Sequence, residues 1–160
     1  MFNISDLRFY LKNDIISIKP KKRVVVGIKE NLFEEYDYDI VEDFIIHFSM
    51  MTYQMENLII YLSKPEEYKT NIEELFRIAH NIKSASSYLN IEPVKKLSIL
   101  TEEVLEEARE LEGPANDDFI DWLLCVKDQF EKYSNDLDSD AEDFSELDPN
   151  IIKIPTDLEK

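Results

Sequence analysis

The chain has 160 residues, with 18 Lys or Arg against 35 Asp or Glu, for a net charge of −17 at pH 7. That length fits one domain with extensions, and the charge repels a phosphate backbone, which disfavours nucleic-acid binding and favours partners with basic docking faces. A single cysteine, Cys125, excludes an internal disulfide framework and a cysteine-only metal site, and is compatible with a reducing compartment.

No run approaches the roughly 20 apolar residues that a membrane span needs. The start, Met1-Phe2-Asn3-Ile4-Ser5-Asp6, lacks the basic-then-apolar pattern of a secretory signal. The expectation is a soluble cytoplasmic protein with no membrane partner. Residues 1–37 carry 7 basic and 6 acidic side chains, residues 38–137 carry 9 and 21, and residues 138–160 carry 2 and 8. This divides the chain into a near-neutral arm, an acidic core domain and an acidic tail.

In the arm, residues 5–11 suit a short helix. Residues 15–18 and 23–28 are β-branched runs around a Pro-Lys-Lys loop, the pattern of a hairpin. Two strands alone are marginal, so the arm is expected either to pack on the rest of the chain or to move.

The core domain reads as helix. Over 39–63 the apolar residues Val41, Phe44, Phe48, Met51, Met55, Leu58 and Leu62 alternate steps of three and four, and Lys64-Pro65 ends the stretch. From Thr70, with Glu73 as a capping-box partner, the stripe resumes as Ile72, Leu75, Ala79, Ile82, Ser86 and Leu89. Asn90 tolerates a left-handed C-terminal cap, and Pro93 suits the first turn of a third helix lined by Leu97, Leu100, Val104, Ala108 and Leu111. Gly113-Pro114 stops it. Asn116 or Asp117 caps a fourth helix, lined by Phe119, Trp122 or Leu123, Val126, Phe130, Tyr133 and Leu137. Four such helices with short connections predict an all-α, antiparallel four-helix bundle over 38–137. The tail, 138–160, reads as acidic and disordered.

The second helix has a polar face on which Glu73, Arg77, His80, Ser84 and Ser87 recur at steps of four and three. A neutral imidazole is a competent nucleophile near neutral pH. A phosphoryl group in transfer carries distributed negative charge, so a cation one turn away assists it, and Lys83 stands three residues after His80. Small residues at 84 and 87 let a partner's active site approach.

The run Leu75-Phe76-Arg77-Ile78-Ala79-His80-Asn81-Ile82-Lys83-Ser84-Ala85-Ser86-Ser87-Tyr88-Leu89-Asn90 resembles the signature of histidine-containing phosphotransfer (HPt) domains. It is also similar to the first domain of chemotaxis-type histidine kinases. The resemblance implies a four-helix bundle that takes a phosphoryl group on histidine and exchanges it with receiver-domain aspartates. It makes His80 the phosphoacceptor and Lys83 its electrostatic partner; Arg77, Ser84 and Ser87, on the same polar face, are the expected docking positions. It implies no metal or cofactor on this chain, the magnesium ion belonging to the receiver, and a receiver domain or a histidine kinase as partner. Ser84 and Asn90 stand where the family usually has Gly.

The expected role is a phosphocarrier in a two-component relay and not a turnover enzyme, since two glycines leave no Gly-rich nucleotide loop. The alternative is a non-catalytic bundle that binds or sequesters a signalling partner, with His80 incidental. His47, flanking the first stripe with no cation one turn away, reads as a boundary histidine without chemistry. His47 and His80 together make a poor metal site. Arg77 suits docking or plain solvation equally. Glu102, Glu103, Glu106 and Glu107 read as a solvated face, Met50, Met51 and Met55 as core, and Trp122 as buried.

Overall fold

The computed structural model describes residues 26–160, and among them the regular structure is five α-helices and one 3-10 turn. Helix α1 spans Ile28–Glu35, α2 Tyr38–Ile60, α3 Pro65–Tyr88, α4 Glu92–Arg109 and α5 Asp117–Asp138; the 3-10 turn Tyr61–Ser63 links α2 to α3. Helices α2–α5 form the expected bundle: α3 lies along α4, α2 lies along α5, and the α2–α3 and α4–α5 contacts close the ring. Neighbours run antiparallel. Tyr68 near the start of α3 donates from its hydroxyl to the Ala108 carbonyl near the end of α4 at 2.9 Å, and Phe48 of α2 meets Phe130 of α5 edge-on.

The three-and-four spacing does what amphipathic spacing requires. Val41, Phe48, Met55, Ile72, Leu75, Ala79, Ile82, Leu100, Val104, Phe119, Leu123, Val126 and Phe130 are all sealed from solvent. Each large side chain among them contributes about 1.5–3 kcal/mol relative to exposure. Trp122 is buried as expected. Of Met50, Met51 and Met55, only Met55 is core; Met51 is half-buried and Met50 points outward, because it falls on the opposite side of α2 from Phe48 and Met55.

The connections follow their local chemistry. Asn90 adopts the left-handed conformation at φ +52° and closes α3. Gly113, at φ +73°, passes so close to Tyr68 that an added Cβ would sit 2.3 Å from the ring, so only glycine fits. Asn116 caps α5, its side-chain oxygen accepting from the Phe119 amide at 2.8 Å. One cap differs from expectation. Helix α3 starts at Pro65, not at Thr70, because proline is preset for a first turn and Glu66 and Glu67 suit the positive end of the helix. Thr70 is an exposed interior position of α3 and heads no capping box.

The extensions depart further. The expected short helix at 5–11 and the first strand at 15–18 lie outside the described residues. The second expected strand, 23–28, is no strand where it is described: Ile28 opens α1. That start is set from a distance, since the Asp140 side chain accepts from the Lys29 and Glu30 amides at 2.9 and 3.1 Å. Gly27 lies against Asp140 too tightly for any Cβ.

Residues 138–160, expected to be disordered, instead fold back along α5. Ile151, Ile154 and Leu158 are buried, and the Ile151 carbonyl accepts from Trp122 Nε1 at 2.9 Å. Gln129 bonds the Glu146 carbonyl and the Asp148 amide, Asp136 holds Ser145, and Ala115 bridges Glu159. The apolar residues Phe144, Leu147, Ile151, Ile154 and Leu158 face inward while the carboxylates remain at the surface, so the tail's net charge does not oppose its packing. Among the described residues no helix is long and apolar enough to cross a membrane.

Candidate functional site

The polar face of α3 borders α4, and there the two helices bring their charges together. His80 is about half exposed, with 53% of its side chain open to solvent. Its Nδ1 lies 3.1 Å from Oε1 of Glu102 on α4. A carboxylate only accepts, so Nδ1 is the donor of this contact, and in the neutral imidazole the lone pair then belongs to Nε2. Glu102 itself is largely enclosed, 15% exposed. Its second oxygen, Oε2, is 2.6 Å from Lys83 Nζ, an ion pair whose angles fall outside hydrogen-bond geometry. One carboxylate thus ties the histidine to the lysine one turn along the same helix.

The ring of His80 is supported on its N-terminal side. Phe76, one turn back on α3, stacks near-parallel with it at 6.2 Å between centroids. The Arg109 guanidinium from α4 sits 4.3 Å above the Phe76 ring. Arg109 is held in turn by Glu73 at 2.8 Å and Glu106 at 2.6 Å, and those hydrogen bonds raise its pKa further, so it stays charged. A row Arg109–Phe76–His80 therefore backs the imidazole.

The remaining expected residues divide. Ser84 is exposed one turn beyond His80. Ser87 is half-buried and donates to the Lys83 carbonyl at 2.6 Å, which fixes its hydroxyl on its own helix. Arg77 is exposed and pairs with Glu74 of the same helix at 3.1 Å, away from Glu102. His47 lies on α2 and donates from Nδ1 to the Asp43 carbonyl at 2.7 Å, apart from this cluster. Among the described residues no group of three or more His, Cys, Asp or Glu side chains is arranged to hold a metal ion.

Glu102 is the residue that the sequence reading placed elsewhere, on a solvated face with Glu103, Glu106 and Glu107. Glu103, Glu106 and Glu107 are indeed exposed. Glu102 differs because the turn at Leu89–Ile91 folds α4 back on α3, and reflecting the chain about residues 90–91 sets position 80 opposite 101–102. The signal was the tight turn, not the glutamate.

The family model described as the Hpt domain matches residues 39–147. The sensor histidine kinase CheAY of Helicobacter pylori is 34% identical over 86 residues, which cover 54% of this chain and 11% of that protein's own length. The matched part of the chain therefore spans about a tenth of that relative's length. No solved structure gives a significant match.

Proposed function

We propose, starting from the fact that this chain belongs to the Hpt domain family, that His80 accepts a phosphoryl group on Nε2 and exchanges it with a receiver-domain aspartate in two-component signalling. The observation that carries this reading is the Glu102 contact. By holding the Nδ1 proton it turns the free lone pair of Nε2 outward on a half-exposed ring.

In transfer from a phosphorylated receiver, the Nε2 lone pair attacks phosphorus and the phosphorus–oxygen bond to the aspartate breaks. The aspartate leaves as a carboxylate. The imidazole becomes cationic as the new bond forms, and the Glu102 carboxylate stabilises that charge through Nδ1–H. Lys83 keeps Glu102 in place and has further N–H donors for an incoming phosphoryl oxygen. Return of the group runs the same steps backward, and the magnesium ion belongs to the receiver. Ser84, exposed and small, leaves room for the partner's face. A histidine kinase is the other source of phosphate, and the relative named as one is where this reading meets a longer protein.

The test uses a phosphorylated receiver domain from the same cell. The wild-type chain should acquire an acid-labile, alkali-stable phosphate and His80→Gln should not. Label that persists in His80→Gln overturns the assignment. Binding without transfer in the wild type instead supports the bundle as a non-catalytic interaction module.

A further inference from the structure

Helix α2 carries an apolar strip that no described element covers. Ile46, Met50 and Tyr53 recur at steps of four and three and are 52%, 54% and 78% exposed; Ile60 continues the strip two turns on. Exposed apolar residues scattered singly are ordinary, whereas an aligned strip is a candidate docking surface. The strip leans toward α5, where Tyr53 borders a cleft of about 190 Å³ shared with Glu56, Lys127, Glu131 and Asn135. Toward the N-terminus of α2 the same spacing passes into Asp39, Glu42 and Asp43.

The charge on the chain says what kind of occupant fits. A second copy brings another −17 to the same surface. Residues 1–25 carry six basic and two acidic side chains, net +4, while residues 26–160 carry twelve and thirty-three, net −21. The attachment point is also fixed. The Ile28 amide donates to the Ala141 carbonyl at 2.8 Å, so the chain enters beside the C-terminal end of α5, the end that antiparallel packing pairs with the start of α2. Arg23 is three residues before Val26, within about 10 Å of that point. Going back from there, the chain presents Arg23, Lys22 and Lys21, then Ile18, Ile16 and Ile15. The α2 face, read from the same end, presents acidic residues and then apolar ones.

We propose that residues 1–25 dock on their own bundle along this α2 face, with Lys21, Lys22 and Arg23 against Asp39, Glu42 and Asp43, and Ile15, Ile16 and Ile18 over Ile46, Met50 and Tyr53. His80 stays uncovered, because it faces Glu102 in the groove between α3 and α4.

The test is hydrogen exchange followed by mass spectrometry on the full-length chain, reading peptides that cover residues 9–18. Three proteins are compared: wild type, the double variant Met50→Glu/Tyr53→Glu, and the charge reversal Lys21→Glu/Lys22→Glu/Arg23→Glu. The altered α2 positions are exposed, so amides in the core of α5 should exchange as in wild type and report an intact bundle. Residues 9–18 are expected to exchange about tenfold more slowly in wild type than in either variant, independent of protein concentration. Exchange in wild type at the rate of an unstructured peptide overturns the proposal. So does protection that survives Met50→Glu/Tyr53→Glu, and so does protection that grows with protein concentration, which would assign the face to a second copy.

Discussion

The Glu102 carboxylate of α4 touches two residues of α3 at once, standing 3.1 Å from His80 Nδ1 and 2.6 Å from Lys83 Nζ. Removing it tests the proposed chemistry without removing the nucleophile. Glu102→Gln keeps an acceptor oxygen but loses the charge, and Glu102→Ala loses both. Hydrogen bonds to charged groups contribute about 1.5–3 kcal/mol, so transfer to His80 should slow about tenfold in the first variant and up to about a hundredfold in the second. Rapid-quench labelling measures the rate. Nitrogen NMR of His80 should report a protonated Nδ1 in wild type and a mixture of tautomers in Glu102→Ala; an unchanged tautomer would sink the orienting role.

In the proposed chemistry Lys83 acts through the same carboxylate, from which its ammonium stands 2.6 Å, and toward the incoming phosphate. Lys83→Ala should slow transfer by roughly three- to tenfold; it also strips the cation from a largely enclosed Glu102 oxygen, so the urea midpoint should fall and the rate is read below the unfolding range. The informative measurement is the double-mutant cycle with Glu102→Ala. Two residues that share one contact are non-additive, so the double variant should lose less than the product of the single losses. Strict multiplication of the two effects would mean that Lys83 works on phosphate alone.

The bundle was legible in the sequence because its core residues depend only on local spacing. Leu97, Leu100, Val104 and Ala108 are buried for the same reason that they recur every three or four residues. Asn90 and Asn116 were legible because turns and caps select side chains by chemistry within a few residues. Features set across the fold were not. Helix α1 begins where Asp140 caps it, more than a hundred residues away, and its β-branched approach reads as strand. In the tail the carboxylates dominate composition, although Phe144, Leu147, Ile151, Ile154 and Leu158 already repeat at packing intervals. His80 and Lys83 were found on one helix; Glu102, on the next, needed the register between the two.

The tail makes a prediction that separates stability from function. Ile151 is fully buried, and its carbonyl accepts from Trp122 Nε1. Ile151→Ala should cost about 2–4 kcal/mol in urea unfolding through the lost contacts and the cavity left behind. Transfer to His80 below the unfolding range should be unaltered, because the tail packs along α5 while the site lies between α3 and α4. A loss near zero would mean that the tail does not pack on the bundle in solution.

Alkali should weaken the fold through the groups whose protons the fold holds most tightly. Burial pushes the Tyr68 hydroxyl up to about 12, with Glu159 adding to it, and burial likewise raises Tyr133 to about 12. The Cys125 thiol is raised to about 11 by burial and by the nearby Asp148. In each case the folded chain holds the proton more tightly than the unfolded chain. The stability they contribute is therefore complete below the ordinary values near 9 and 10 and is lost as pH rises through 11 to 12. Asp148 runs the other way. The Asn150 amide holds its pKa down, so its contribution is present above the usual carboxylate range and is lost as pH falls through the lower folded value. Urea midpoints should accordingly be level between about pH 6 and 8 and decline above about pH 9. Tyr133→Phe, which keeps the ring against Phe144, should flatten part of that alkaline decline. The same slope in Tyr133→Phe as in wild type would remove this phenol from the account and leave Tyr68 and Cys125 to explain it.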